Sequence, residues 1–169
     1  GFESFRGQGG DDFIDGGGGD FDRADYRNSP DSVFVDLSAG VAQDGFGGTD
    51  ELVNIESVRG SDLGDDTLIG DAGDNQLDGR GGDDTLIGGE GDDSLRGREG
   101  DDTLSGGGGQ DFLTGDAGSD AFVFSSKDGS TRNLQTPEGF YGDIVSDYTA
   151  GEDQLVFEGM EGITYTGRV

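Results

Sequence analysis

Between Ser61 and Val123 an apolar residue returns at every ninth position: Leu68, Leu77, Leu86, Leu95, Leu104, Leu113 and Phe122. In the register that puts these in the eighth place, the fourth is always glycine: Gly64, Gly73, Gly82, Gly91, Gly100, Gly109 and Gly118. The sixth is Asp66, Asn75, Asp84, Asp93, Asp102, Asp111 and Asp120, and the first is glycine in six of the seven units. A flexible linker has no reason to hold an apolar residue at a fixed phase, so the pattern predicts a solenoid of stacked units. Each unit is expected to contain about six turn residues and about three strand residues, the middle strand side chain pointing inward. Glycine admits the left-handed backbone that tight turns require.

Elsewhere the pattern is weaker. Residues 7–15 make another unit, with Gly10, Asp12 and Ile14 in the fourth, sixth and eighth places, while Phe21 disturbs the phase of the unit beginning at Gly16. Residues 32–38 alternate, with Val33, Val35 and Leu37 on one face, as in a strand. Residues 45–49 read as a turn, and 51–59 offer Leu52, Ile55 and Val58; this stretch is expected to lie as irregular coil against the roll. Beyond Val123 the period stops. Residues 125–142, polar and containing Pro137, read as a loop, and 143–157 as a hairpin capping the open end. Residues 158–169 carry too little signal to place. The organisation expected is 1–60 as degenerate repeats and coil packed on the roll, 61–124 as the roll, and 125–169 as loop and cap.

Charge changes the picture. The 169 residues include 10 basic and 38 acidic side chains, for a net charge of −28, and 37 glycines. Low hydrophobicity with high net charge is the composition of a chain that stays unfolded unaided, so the regular apolar phase implies that something neutralises the acid. The charge repels nucleic acid and an anionic membrane surface. No apolar run approaches the length of a transmembrane helix, and no signal peptide opens the chain. Gly1 stands where a methionine would, which reads as a fragment of something longer. The chain has no cysteine; extracellular domains lacking disulfides need another staple, and a metal ion is one.

The residue types favour one metal. Turn carbonyls and carboxylates are hard oxygen donors, of which Ca²⁺ takes about six to eight. The chain has no histidine or cysteine for zinc or copper; Mg²⁺ stays open, though it prefers a smaller, stricter octahedron and keeps its waters. The units resemble the RTX calcium-binding nonapeptide family, G-G-x-G-x-D-x-U-x, specifically over 61–123 and well over 7–15. The resemblance implies an all-β fold: a right-handed parallel β-roll in which two units make one coil, with calcium between stacked turns. Asp66, Asp84, Asp102 and Asp120 would line one edge and Asn75, Asp93 and Asp111 the other, holding three and two ions, with Asp12 adding a further one. The turn glycines Gly64, Gly73, Gly82, Gly91, Gly100 and Gly109 would supply carbonyl ligands.

Residues 61–123 hold 17 acids and three arginines, a net −14, which five calcium ions would largely offset. Without metal, carboxylates on successive coils roughly 5 Å apart repel by about 3 kcal/mol per pair at an effective dielectric of 20. The metal-free chain is therefore expected to be largely unfolded. Some positions depart from the formula. The second place is Asp62, Asp71, Arg80, Arg98 or Asp116 rather than glycine in five units; Asn75 removes a charge and should weaken its site; Gln110 and Ser119 end the acidic run at the fifth place. The fifth-place Asp65, Asp74, Asp83, Asp92 and Asp101 are read as ligands, turn-stabilising side chains or solvated charge. Asp11, Asp20 and Asp22 are open to an ion, and Asp143, Asp147, Glu152 and Asp153 are read as a solvated acidic face.

No catalytic constellation stands out. Nucleophiles activated by histidine cannot exist here, a carboxylate pair has no specificity among 38 acids, and no G-K-[ST] follows the glycines. The resemblance implies a calcium-binding module that folds outside the cell and supports type I secretion of a larger protein through its export machinery. A module presenting a surface to an extracellular polysaccharide or cell-surface partner stands beside it, as does a calcium-linked structural layer.

Overall fold

The structure, a computed structural model, describes residues 3–19, 21–125 and 143–159. Every regular element among them is a strand: β1 (Ser4–Phe5), β2 (Phe13–Asp15), β3 (Arg23–Asp25), β4 (Phe34–Asp36), β5 (Val41–Gln43), β6 (Thr49–Val53), β7 (Ser57–Arg59), β8 (Thr67–Ile69), β9 (Gln76–Gly81), β10 (Thr85–Glu90), β11 (Ser94–Glu99), β12 (Thr103–Gly108), β13 (Phe112–Ala117), β14 (Ala121–Ser125), β15 (Ile144–Val145) and β16 (Gln154–Glu158). They form two sheets, β1-β3-β7-β9-β11-β13-β15 and β16-β14-β12-β10-β8-β4-β5-β6-β2. From β7 to β14 the chain alternates between them, so each strand pairs in parallel with the strand two units away. The fold is a parallel β-roll.

The eighth-place residues explain why the sheets face each other. Leu68, Leu86, Leu104 and Phe122 stack in register in one sheet, and Leu77, Leu95 and Leu113 in the other. All seven are fully buried, each contributing about 1.5–3 kcal/mol of transfer free energy. The strands run further than the three residues expected: β9 to β13 each have six. Pairing skips the first-place glycine and resumes at the second, as in Ile87↔Ser105 followed by Gly89↔Gly107. Second-place residues reach that geometry through left-handed backbone: Gly89 (φ 119°) and Gly107 (103°), but also Arg80 (92°), Arg98 (93°) and Asp116 (70°).

Residues 45–59 are not irregular coil. Gly45, Gly48, Asp50 and Leu52 fill the first, fourth, sixth and eighth places of a further unit, and β6 pairs in parallel with β2, Leu52 opposite Ile14. β7 joins the other sheet between β3 and β9, Val58 opposite Ala24 and Leu77. The inserted Phe21 adopts φ 77° and is 45 % exposed, so it bulges outward and the phase recovers at Ala24. β4 confirms the alternating strand, with Val35 buried; β5 runs antiparallel between β4 and β6. The expected C-terminal hairpin is also corrected. β15 and β16 do not pair with one another but add in parallel to β13 and β14, continuing the roll by one coil. The loop expected over 125–142 lies, from 126 on, outside the described residues, as does the segment from 160.

Candidate metal centres

The sixth-place side chains sit in the turns between the sheets, buried although charged. Asp66, Asp84, Asp93, Asp102, Asp111 and Asp120, with Asn75, are at most 2 % exposed. One oxygen of each carboxylate is used in a ladder. The backbone N–H of each sixth-place residue donates to Oδ1 of the sixth-place residue one coil later: Asp66 to Asp84, Asp84 to Asp102 and Asp102 to Asp120 on one edge; Asn75 to Asp93 and Asp93 to Asp111 on the other. The ladders extend beyond the regular units. Asp120 donates to Asp153 and Asp111 to Asp143, so these two acids belong to the rows rather than to a solvated face. Toward the N-terminus Glu3 donates to Asp22, Asp22 to Glu56, and Asp12 to Asp50.

The second oxygen is what a cation would need. Oδ2 of Asp12, Asp84, Asp93 and Asp102 is sealed from solvent with no hydrogen-bond partner among the described residues. Desolvation is the main cause that pushes up the carboxyls of Asp84, to about 8, Asp93 and Asp102, to about 7, and Asp66, to about 6, from the ordinary 3.8. Asp120 is raised for the same reason. An ionised carboxylate without a compensating partner is costly to bury, so Asp84, Asp93 and Asp102 are in want of a proton or a metal.

Backbone oxygens approach the same places. A Cβ on Gly88 would lie 2.2 Å from Asp93 Oδ2 and 2.4 Å from the carbonyl oxygen of Gly106. The equivalent positions at Gly60 and Gly70 bring together Asp66 Oδ2 with the Gly79 carbonyl, and Asn75 Oδ1 with that of Gly88. Among the described residues no three carboxylates converge on one point, so an ion here would be shared between side chain and main chain, as a hard cation with flexible coordination accepts. Of the fourth-place glycines, Gly82, Gly91, Gly100 and Gly109 are left-handed, and a Cβ on any of them would collide with the main chain of the fourth-place glycine one coil earlier. Gly64 and Gly73 are not left-handed; a Cβ on Gly64 would meet the backbone of Ser32.

The fifth-place acids do something else. They are exposed, and Oδ1 of Asp65, Asp83 and Asp101 accepts from N–H of Asp83, Asp101 and Ser119, while Asp74 and Asp92 accept from Asp92 and Gln110. Ser119 and Gln110 end these ladders as donors, a place that requires no carboxylate. Asp11 accepts from Thr49 in the same way. Asp147 holds the cap by accepting from N–H of Gly115 and Asp116. Asp20 is not among the described residues.

Comparison with protein families matches the RTX calcium-binding nonapeptide repeat to residues 1–20, 61–95 and 87–122. These stretches belong to that family, and the protein carries a calcium-binding RTX module. No curated protein matches the chain.

Sequence reasoning left Asp22 open to an ion and missed Asp50, Glu56, Asp143 and Asp153 as members of the rows. For Asp50 the signal was present in Gly45, Gly48 and Leu52; for the others the spacing is broken by insertions.

Proposed function

We propose that this module is a calcium-driven folding unit of a secreted protein, exported unfolded by a type I machinery and folded by calcium outside the cell. The observation that carries the reading is the two rows of buried carboxylates, in which Asp84, Asp93 and Asp102 keep an oxygen left over after the backbone ladder is made. Calcium would be held by Asp66, Asp84, Asp102 and Asp120 on one edge and by Asn75, Asp93 and Asp111 on the other. The carbonyls of the turn glycines complete each shell. Five ions fit between neighbouring coils of 61–123, and Asp143, Asp153 and Asp12 extend the rows. Metal-bound, the rows cohere; metal-free, they repel, and burial of the leucine stacks does not offset the entropy of ordering so many glycines. Extracellular modules take calcium in the 10⁻⁴–10⁻³ M range, far above cytoplasmic levels, which makes the compartment the switch. Far-UV circular dichroism during calcium titration of the chelator-stripped chain should show a cooperative coil-to-β transition absent with magnesium; a chain already β-rich in chelator would overturn the mechanism.

A second reading, a surface for an anionic extracellular polysaccharide, has one observation in its favour. On the outer side of the seven-stranded sheet, Arg23, Arg59, Arg96 and Arg98 line a groove of about 460 Å³ together with Gln76, Phe112 and Thr114. Asp78 and Asp116 temper it by pairing with Arg98 and Arg96.

A further inference from the structure

Residues 22–59, which hold β3 to β7, are built differently from the rows that follow. Eight apolar side chains, from Ala24 to Val58, are buried within these 38 residues. The 63 residues of 61–123 bury seven, one to a unit. Glycine makes up four of the 38 against 17 of the 63, so the block gains more apolar burial per residue and loses less backbone entropy. Its pairing is also local. β4, β5 and β6 form an antiparallel meander, Val35 opposite Ala42 and Ala42 opposite Asp50. Strand pairs within 61–123 instead join residues 18 apart, as Leu86 with Leu104. Short loops close at lower entropic cost.

The carboxylates of the block find protein donors. Asp25 gathers the guanidinium groups of Arg6, Arg27 and Arg59. Asp50 Oδ2 accepts the hydroxyl of Tyr26 at 3.0 Å, Glu56 accepts from N–H of Asp22, and Asp36 Oδ1 accepts from Ser38 and Ala39. Asp44 Oδ1 closes its own turn by taking N–H of Phe46 and Gly48, and its Oδ2 is the one carboxylate oxygen of the block buried without a hydrogen-bond partner. In the rows Asp84, Asp93 and Asp102 each have such an oxygen. Both sheets of the regular roll begin on the block: β8 adds in parallel to β4, Leu68 opposite Val35, and β9 to β7, Leu77 opposite Val58. The joint itself is made by protein donors. Asp66, the first sixth-place acid, accepts N–H of Val33 on Oδ1 at 2.8 Å and N–H of Ser61 on Oδ2 at 2.6 Å.

We propose that residues 22–59 are a calcium-independent template, formed before the metal binds, on which calcium then lays down the rows coil by coil from β8 and β9. The inference rests on the reading of the roll as a calcium-folded module and adds to it a starting point and a direction. A uniform array can begin folding at any unit, and its first coil has no neighbour to pair with. The template supplies that neighbour, so it sets the calcium level at which the rows fold. A block below about 40 residues is marginal by itself; its metal-free signature is slowed exchange, with the rest of the chain still coil.

Hydrogen exchange read by mass spectrometry on the full chain tests this. In chelator, peptides covering β4 to β7 should exchange about tenfold more slowly, relative to their intrinsic rates, than those covering β9 to β13. In pulse labelling after calcium is added, protection should reach β8 and β9 before β12 and β13. Val35→Ala should abolish the slowed exchange in chelator and raise the calcium midpoint of the rows several-fold. Leu104→Ala should raise that midpoint and leave the metal-free protection intact. Block peptides that exchange in chelator as fast as the rows, or protection that reaches β13 no later than β9, would overturn the template and leave calcium-driven folding standing. Rows already protected in chelator would overturn that folding and the template with it. If Val35→Ala does not fold in saturating calcium, the wild-type exchange pattern decides.

Discussion

A sixth-place aspartate has two oxygens with different fates, and pH should separate them. Oδ1 is fixed by a backbone N–H from the preceding coil; Oδ2 is buried and bare at Asp84, Asp93 and Asp102. Their folded pKa values, about 7 to 8, stand above the unfolded value near 4. The metal-free roll therefore binds protons more tightly than the unfolded chain does. That contribution to stability is complete below about pH 4 and is lost as pH rises through 7 to 8. In calcium-free buffer the β-signal in circular dichroism should grow on acidification from pH 8 to 5. The calcium midpoint should move the other way, toward lower calcium as pH rises, because metal and proton compete for the same oxygen. The row itself was legible in the sequence, since aspartate recurs beside a fixed apolar phase. The division of labour between fifth and sixth places was not, because Asp83 and Asp84 are the same residue type, while in the fold Asp83 is exposed and accepts from the following coil and Asp84 is buried and accepts from the preceding one.

The strands show where legibility ends. β8 to β14 follow from a nine-residue period with leucine at its centre. β6 lies in a unit that keeps the spacing in Gly45, Gly48, Asp50 and Leu52, but it and β7 stand 38 and 34 residues from their partners in the N-terminal ladder, Asp12–Asp50 and Asp22–Glu56, so no run of consecutive units joins them to it. The same holds for β15 and β16, which sit 32 and 33 residues beyond Asp111 and Asp120 in the ladders. Within an element the demanding position is the fourth-place glycine. At Gly100, φ is 121° and a Cβ would lie 2.1 Å from the Gly82 carbonyl oxygen, so Gly100→Ala combines a left-handed backbone penalty of about 1–2 kcal/mol with a main-chain clash. We expect this substitution to raise the calcium midpoint for folding at least several-fold, measured by dichroism. Gly73→Ala, where the backbone is not left-handed and only Asp71 Oδ1 comes within 3.4 Å, should shift it little.

At the scale of the whole molecule, charge is unevenly laid out. β3, β7, β9 and β11 in the seven-stranded sheet carry Arg23, Arg59, Arg80, Arg96 and Arg98, while no strand of the nine-stranded sheet contains an arginine or lysine. If the groove beneath these side chains takes an acidic polysaccharide, the calcium-loaded chain should be retained on a polyuronate column. Arg96→Ala with Arg98→Ala should reduce retention without changing the calcium midpoint by more than about twofold, since exposed ion pairs are worth about 0–1 kcal/mol each. Flow-through of the wild-type chain would remove that reading and leave the folding module standing.

Three of those arginines also bear on a difficulty that any repetitive chain faces. Leucine stacks and aspartate ladders are the same from coil to coil, so sliding one strand past the next by a full turn of the roll would restore nearly all of them. The ion pairs are not interchangeable. Arg80 meets Asp62, Arg98 meets Asp78, and Arg96 meets Asp116, each joining one particular coil to one other. A slipped chain would carry each guanidinium one coil away from its carboxylate and break these three particular pairings together. The irregular second- and ninth-place side chains thus serve as an index by which an otherwise uniform ribbon counts its own turns.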